Sequence, residues 1–146
     1  MPTPTVDLSQ VSPLIELVLR GGDVHDPRAR EILREQYTRV NQKYPDLSVG
    51  LSCLFRPGAS FDALAQEGSY PNARLSVTII QRLVDELSVI GCELALYITP
   101  VPRFPDHHTL VVTRSGVIEP GLREEVLDAL IRAMITVSNP YRKRRF

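Results

Sequence analysis

The sequence predicts an α+β fold, in which a small antiparallel or mixed sheet of about three strands carries helices on one face as a two-layer sandwich. Three observations point there. Leu47, Val49, Leu51, Cys53 and Phe55 alternate with Ser48, Gly50, Ser52 and Leu54, the period-two pattern of a strand with one buried face. Cys92, Leu94, Leu96 and Ile98 repeat that pattern against Glu93, Ala95, Tyr97 and Thr99. Between and after these segments the apolar residues recur at helical spacing, and stripes of that kind bury themselves on a sheet.

The elements follow in order. Ser12 as cap, Pro13 at the first helical position and Gly21-Gly22 as stop predict a short helix over 13–20. Leu14, Leu17 and Val18 make it apolar on several sides, so it is expected to be buried or to form a protein interface. Asp26-Pro27 opens a second helix whose stripe is Ala29, Leu33, Tyr37, Val40 and Tyr44, ended by Pro45. Arg30, Glu31, Arg34, Glu35 and Gln42 form its solvated face. After the strand over 47–55, Ser60 caps a short helix over 61–67.

Segment 73–90 carries two patterns. Ile79, Ile80, Leu83, Val84, Leu87 and Ile90 have helical spacing before Gly91, whereas Leu75, Val77 and Ile79 alternate as a strand. One helix over 73–90 is the reading taken, and a strand over 74–80 followed by a shorter helix is the competing one. A third strand is expected over 109–114, after a stiff, extended connection holding Pro100, Pro102 and Pro105. Ser115-Gly116 reads as a turn. Pro120 then starts a last helix along Leu122, Val126, Leu127, Leu130, Ile131, Met134 and Val137, ended by Asn139-Pro140. Residues 1–140 are thus read as one domain and 141–146 as a basic C-terminal tail.

Composition bounds the function. The 146 residues suit one domain, and 43% hydrophobic residues supply its core. Arg142, Lys143, Arg144 and Arg145 put four cations into the last five residues, and the formal net charge of zero leaves the rest of the chain acidic. Such asymmetry steers association. Lys43 and Lys143 are the only lysines among seventeen basic residues; the arginine bias fits bidentate contacts to phosphate or carboxylate, and equally a genome rich in arginine codons. No apolar run has the length of a membrane span, and the N-terminus lacks the basic and apolar regions of a cleavable signal peptide. A cytoplasmic protein, or one delivered into a host cell, is expected. Cys53 and Cys92, both at inward strand positions, read as core thiols of a reducing compartment.

Candidate sites are few. His107-His108, beside Asp106 and upstream of Arg114, supplies the residue types for acid–base work on a phosphate, although adjacent strand residues face opposite ways. The histidines and cysteines show no paired ligand spacing, so no metal site and no cofactor are expected. Pro102-Arg103-Phe104-Pro105 is a P-x-x-P string that stiffens the loop, with Phe104 packed inward or available as a contact. The tail, Tyr141, Arg142, Lys143, Arg144, Arg145 and Phe146, joins four cations to two aromatics, a composition for phosphates and bases or for another anionic surface.

Two functional readings follow. The first is a non-enzymatic binding or assembly module, self-associating or with a protein partner, whose tail meets nucleic acid or another anionic surface. The second is a small effector or toxin, a nuclease or transferase acting through His107 or His108 with Arg114.

Overall fold

The alternating segments pair into one antiparallel sheet, larger than the three strands expected. The computed structural model describes residues 3–7, 16–20, 27–39, 43–56, 72–133 and 135–137. Its strands are β1 (Thr5–Val6), β2 (Glu16–Arg20), β3 (Leu51–Phe55), β4 (Asn72–Ser76), β5 (Cys92–Ile98), β6 (His107–Arg114), β7 (Val117–Ile118) and β8 (Ile135–Val137). Its helices are α1 (Ala29–Tyr37), α2 (Val77–Ser88) and α3 (Glu124–Ala133). The spatial order is β1-β5-β6-β3-β2-β4-β8, with β7 also beside β6. β5, β6, β3, β2 and β4, each of five or more residues, form the body of the sheet.

The α+β class and the helices on one face agree with expectation. Leu33 and Tyr37 of α1, Leu83 and Leu87 of α2, and Val126, Leu127 and Leu130 of α3 share one core with Leu51, Cys53, Phe55, Leu96, Leu110 and Val112. Full burial of each such leucine contributes about 2 kcal/mol. Arg30 and Arg34 of α1 reach Glu124 and Asp128 of α3, and Arg132 of α3 pairs with Glu86 of α2. The face of α1 read as solvated therefore also ties one helix to the next. Exposed pairs of this kind add little stability one by one.

Several elements differ from the sequence reading. Residues 16–20, expected in a helix, form β2, which pairs with β3 on one side and β4 on the other. A short apolar run cannot be told from a buried strand by period alone, and two flanking strands decide it. Asn72–Ser76 is a strand paired with β2, and the helix begins only at Val77, so the competing reading of 73–90 is the nearer one. Helix α1 stops at Tyr37, with Lys43 and Tyr44 in a turn. The last helix starts at Glu124 rather than at Pro120, and its expected end is β8 instead, paired with β4. The helix over 61–67 lies outside the described residues.

The proline connection is tighter than expected. Val101 and Phe104 exchange backbone hydrogen bonds of 3.2 and 3.0 Å around Pro102-Arg103. Proline presets the φ that the first corner of a β-turn needs, so the P-x-x-P string folds back here instead of extending. The two histidines, expected in this loop, are the first residues of β6.

Alternation predicted a sheet covered on one side, and the central strand departs from that. Thr109, Val111 and Thr113, at positions of β6 facing away from the three helices, are buried, Val111 to 0% exposure.

One junction binds helix to sheet. β3 accompanies β6 from His107 to Leu110 and β7 takes over at Thr113, leaving Val112 without a strand partner on that edge. The buried Tyr37 hydroxyl fills the place. It accepts from the Val112 N–H (3.2 Å) and donates to the Glu119 carbonyl (2.8 Å), while the Glu119 N–H donates to the Val112 carbonyl (2.9 Å). Beside it the Gly50 N–H donates to the Tyr37 carbonyl at 2.7 Å, from a backbone with φ of +147°.

Candidate functional site

The end of the sheet where β6 begins gathers most of the polar side chains that the described residues bury or half-bury. Antiparallel pairing puts the end of β3, the end of β5 and the start of β6 side by side. Arg56 follows β3 and Asp106 precedes β6; the guanidinium Nε donates to Asp106 Oδ2 at 2.9 Å and a second guanidinium nitrogen contacts the same oxygen. The Phe55 N–H donates to the Asp106 carbonyl at 3.0 Å.

His107 and His108 project to opposite faces, as successive strand residues must. His107 Nδ1 lies 2.8 Å from the Thr99 carbonyl and 2.9 Å from Thr99 Oγ1, which is 2.9 Å from Thr109 Oγ1. A carbonyl only accepts, so Nδ1 carries the hydrogen of the neutral ring and Nε2 is its acceptor. His108 is buried on the helix-covered face, opposite Cys53 and Ile98 in register and edge-on to the Phe55 ring at 5.2 Å. Its Nδ1 donates to the Asp106 carbonyl at 2.7 Å. Burial pushes the His108 pKa down, against the opposing effects of that hydrogen bond and the Asp106 charge.

The other expected residues are elsewhere. Arg114 closes β6 at its far end, six residues from His108, roughly 20 Å along a strand. The geometry therefore does not bring Arg114 together with either histidine. Leu17 and Val18 lie in β2 between two paired strands; Leu14 and the whole of the tail, Tyr141 to Phe146, lie outside the described residues. Phe104 is partly buried at the proline turn. Thr99, Thr109 and the Arg56–Asp106 pair were not singled out from sequence. The signal available was modest: Arg56 directly follows one predicted strand, and the opposite charge, Asp106, lies three residues before another.

Cys53 and Cys92 are free and buried, and burial pushes the Cys53 thiol pKa well up. They pair with His108 and Arg114 from opposite sides of β6, an offset of roughly 20 Å that no disulfide spans. Oxidation of the folded protein should leave its intact mass unchanged, and both thiols should react with an aromatic disulfide reagent only once denaturant is added. A mass lower by two hydrogens would contradict this register.

Among the described residues no group of three or more His, Cys, Asp or Glu could hold a metal ion, and no helix is long and apolar enough to cross a membrane. No family model, no curated protein and no solved structure matches the chain.

Proposed function

We propose that this protein is a non-enzymatic binding module that meets a polyanion, nucleic acid first, through residues 141–146, and that the α+β domain serves to position that segment. One observation carries the reading: four cations and two aromatics begin four residues beyond β8, the outermost strand beside β4. In sequence β8 stands between the last helix and that segment, while the rest of the chain is acidic. Arginine and lysine supply phosphate contacts, and Tyr141 and Phe146 supply faces on which bases stack.

The alternative, an effector nuclease or transferase, has less support. It requires His107 or His108 to act with Arg114, and the two ends of β6 separate them.

Fluorescence anisotropy with a labelled single-stranded oligonucleotide tests the proposal. Four phosphate contacts predict a slope of log K against log salt of about −3, so a fourfold rise in salt should weaken binding about 60-fold. Truncation after Pro140 should remove that binding. A complex indifferent to salt, or retained by the truncated chain, overturns the proposal. Binding to anionic vesicles but not to the oligonucleotide would keep the tail and replace the partner. His107→Ala should leave binding unchanged.

A further inference from the structure

We propose that the sheet end where β6 begins is an acid-sensitive latch, in which protonation of His108 releases the 99–106 connection and β1 from a sheet whose helices stay folded. The inference is independent of the tail.

The latch is a set of hydrogen bonds converging on one short connection. Thr99 N–H donates to the His107 carbonyl (3.2 Å), His107 N–H to the Phe104 carbonyl (3.1 Å) and Phe55 N–H to the Asp106 carbonyl (3.0 Å). The Tyr44 hydroxyl donates to the Pro100 carbonyl at 2.6 Å. β1 is held at the same end. It pairs with β5 at Tyr97 and Leu96, the Ile98 N–H donates to the Pro4 carbonyl, and Thr3 donates twice to the Asp46 carboxylate at 2.7 Å.

His108, whose Nδ1 donates to the Asp106 carbonyl, is the protonatable group buried inside this set. Its surroundings are built for the neutral ring. β3 presents Phe55, whose ring meets it edge to face, the Cys53 thiol, kept neutral by burial, and beyond them the Arg56 guanidinium. β5 presents Ile98 in register. On its own strand His107 points to the other face. Among the described residues Asp106 is the one carboxylate acting on it, and Arg56 already engages that carboxylate.

A second proton on the ring therefore adds a cation in a site 7% exposed, with one shared counter-charge. Burying a charge without its own partner is costly, and the cheaper response is to open the site to water. The sign follows from the burial effect. The folded state holds His108 below its ordinary pKa of 6.5, so the closed state is fully stable above that pH and loses stability as pH falls beneath it. One proton changes the open-to-closed ratio by at most about tenfold per pH unit. Asp46 is held below the usual carboxylate range by its bonds from Thr3, so its own loss of function falls in a more acidic window.

Amide exchange measured by NMR between pH 7.5 and 5, with rates corrected for the intrinsic pH dependence of exchange, tests the latch. Protection of the Thr99, Phe104, His107 and Ile98 amides should fall by up to about tenfold per pH unit below about 6.5, while the α3 amides keep theirs. In His108→Phe and His108→Asn, neither of which titrates, that fall should vanish. A fall that persists in these variants, one shared equally by α3, or none in the wild type overturns the proposal. Should both variants fail to fold, the wild type decides. The His108 ring resonances must titrate with the same midpoint as the loss of protection, and a separate midpoint overturns the latch.

Discussion

Gly50→Ala is expected to destabilise the protein by about 3 kcal/mol, from backbone strain and overpacking together. At φ of +147° an L side chain is strained whatever the space around it. Space is lacking as well. A Cβ at Gly50 would stand 2.2 Å from Thr109 Cγ2, 3.2 Å from Val111 Cγ2 and 3.3 Å from the Leu110 carbonyl. Both methyls belong to branched side chains on the central strand, which move only with the strand itself. Guanidinium denaturation followed by circular dichroism should show a lower midpoint with an unchanged slope. The two causes separate in a double variant. Thr109→Ser removes the nearest methyl, so Gly50→Ala/Thr109→Ser should relieve the closest clash and keep the strain. No loss of stability in Gly50→Ala would mean that the chain leaves β6 at Gly50 by another route.

Tyr37→Phe should cost about 2 kcal/mol while preserving the shape of the core. The ring is 0% exposed and its packing survives in Phe. What disappears is the hydroxyl that serves Val112 and Glu119 where no strand does, and both backbone groups are then left short of a partner. The alkaline limb of stability carries a second signature. Burial, with a smaller effect from the Glu119 charge, pushes the Tyr37 pKa up to about 12. The unfolded chain gives up this proton near 10 and the folded chain near 12. Stability is therefore intact below about pH 10 and lost as pH rises toward 12. Tyr37→Phe should flatten that part of the profile, leaving the share that belongs to the buried Cys53 thiol. An unaltered alkaline profile would show that the hydroxyl is not buried.

The α+β class and the strands β3 and β5 were readable because each has one face against the helices and alternates accordingly. Val111 shows where that logic stops: on a central strand buried on both sides, apolar residues follow one another and the period fades. β2 and β4 were misread for a related reason. Leu17-Val18-Leu19 and Leu75-Ser76 suit either element, and what makes them strands is the neighbour on each side, which lies far away in sequence. The helical residues of α1 were legible as a stripe, yet the part of Tyr37 that matters to the sheet is its hydroxyl. That role needs the gap between β3 and β7, a property of register and not of composition.

The candidate site divides the same way. His107 and His108 stood out as a pair, and period two already set them on opposite faces. Their partners, Thr99 and Asp106, are close in sequence but flank a turn that folds back on itself, where three prolines predict an extended connection. Arg114 looked near to the histidines when counted in residues. A strand is the most extended form of the chain, so the same count became the length of the sheet.

The strand order also bears on how the chain acquires its structure. β5 and β6 are neighbours in sequence and can join as soon as both exist, whereas β4 finds β8 only after α2, two long strands and α3 have been made. Until then the edge of β4 stands open, and an open edge is the surface on which chains join one another by mistake. Loop-closure entropy makes such distant pairings slow. The step that seals β4 is therefore expected to be late in folding. Nascent or refolding protein would meet its risk of aggregation before that edge is covered.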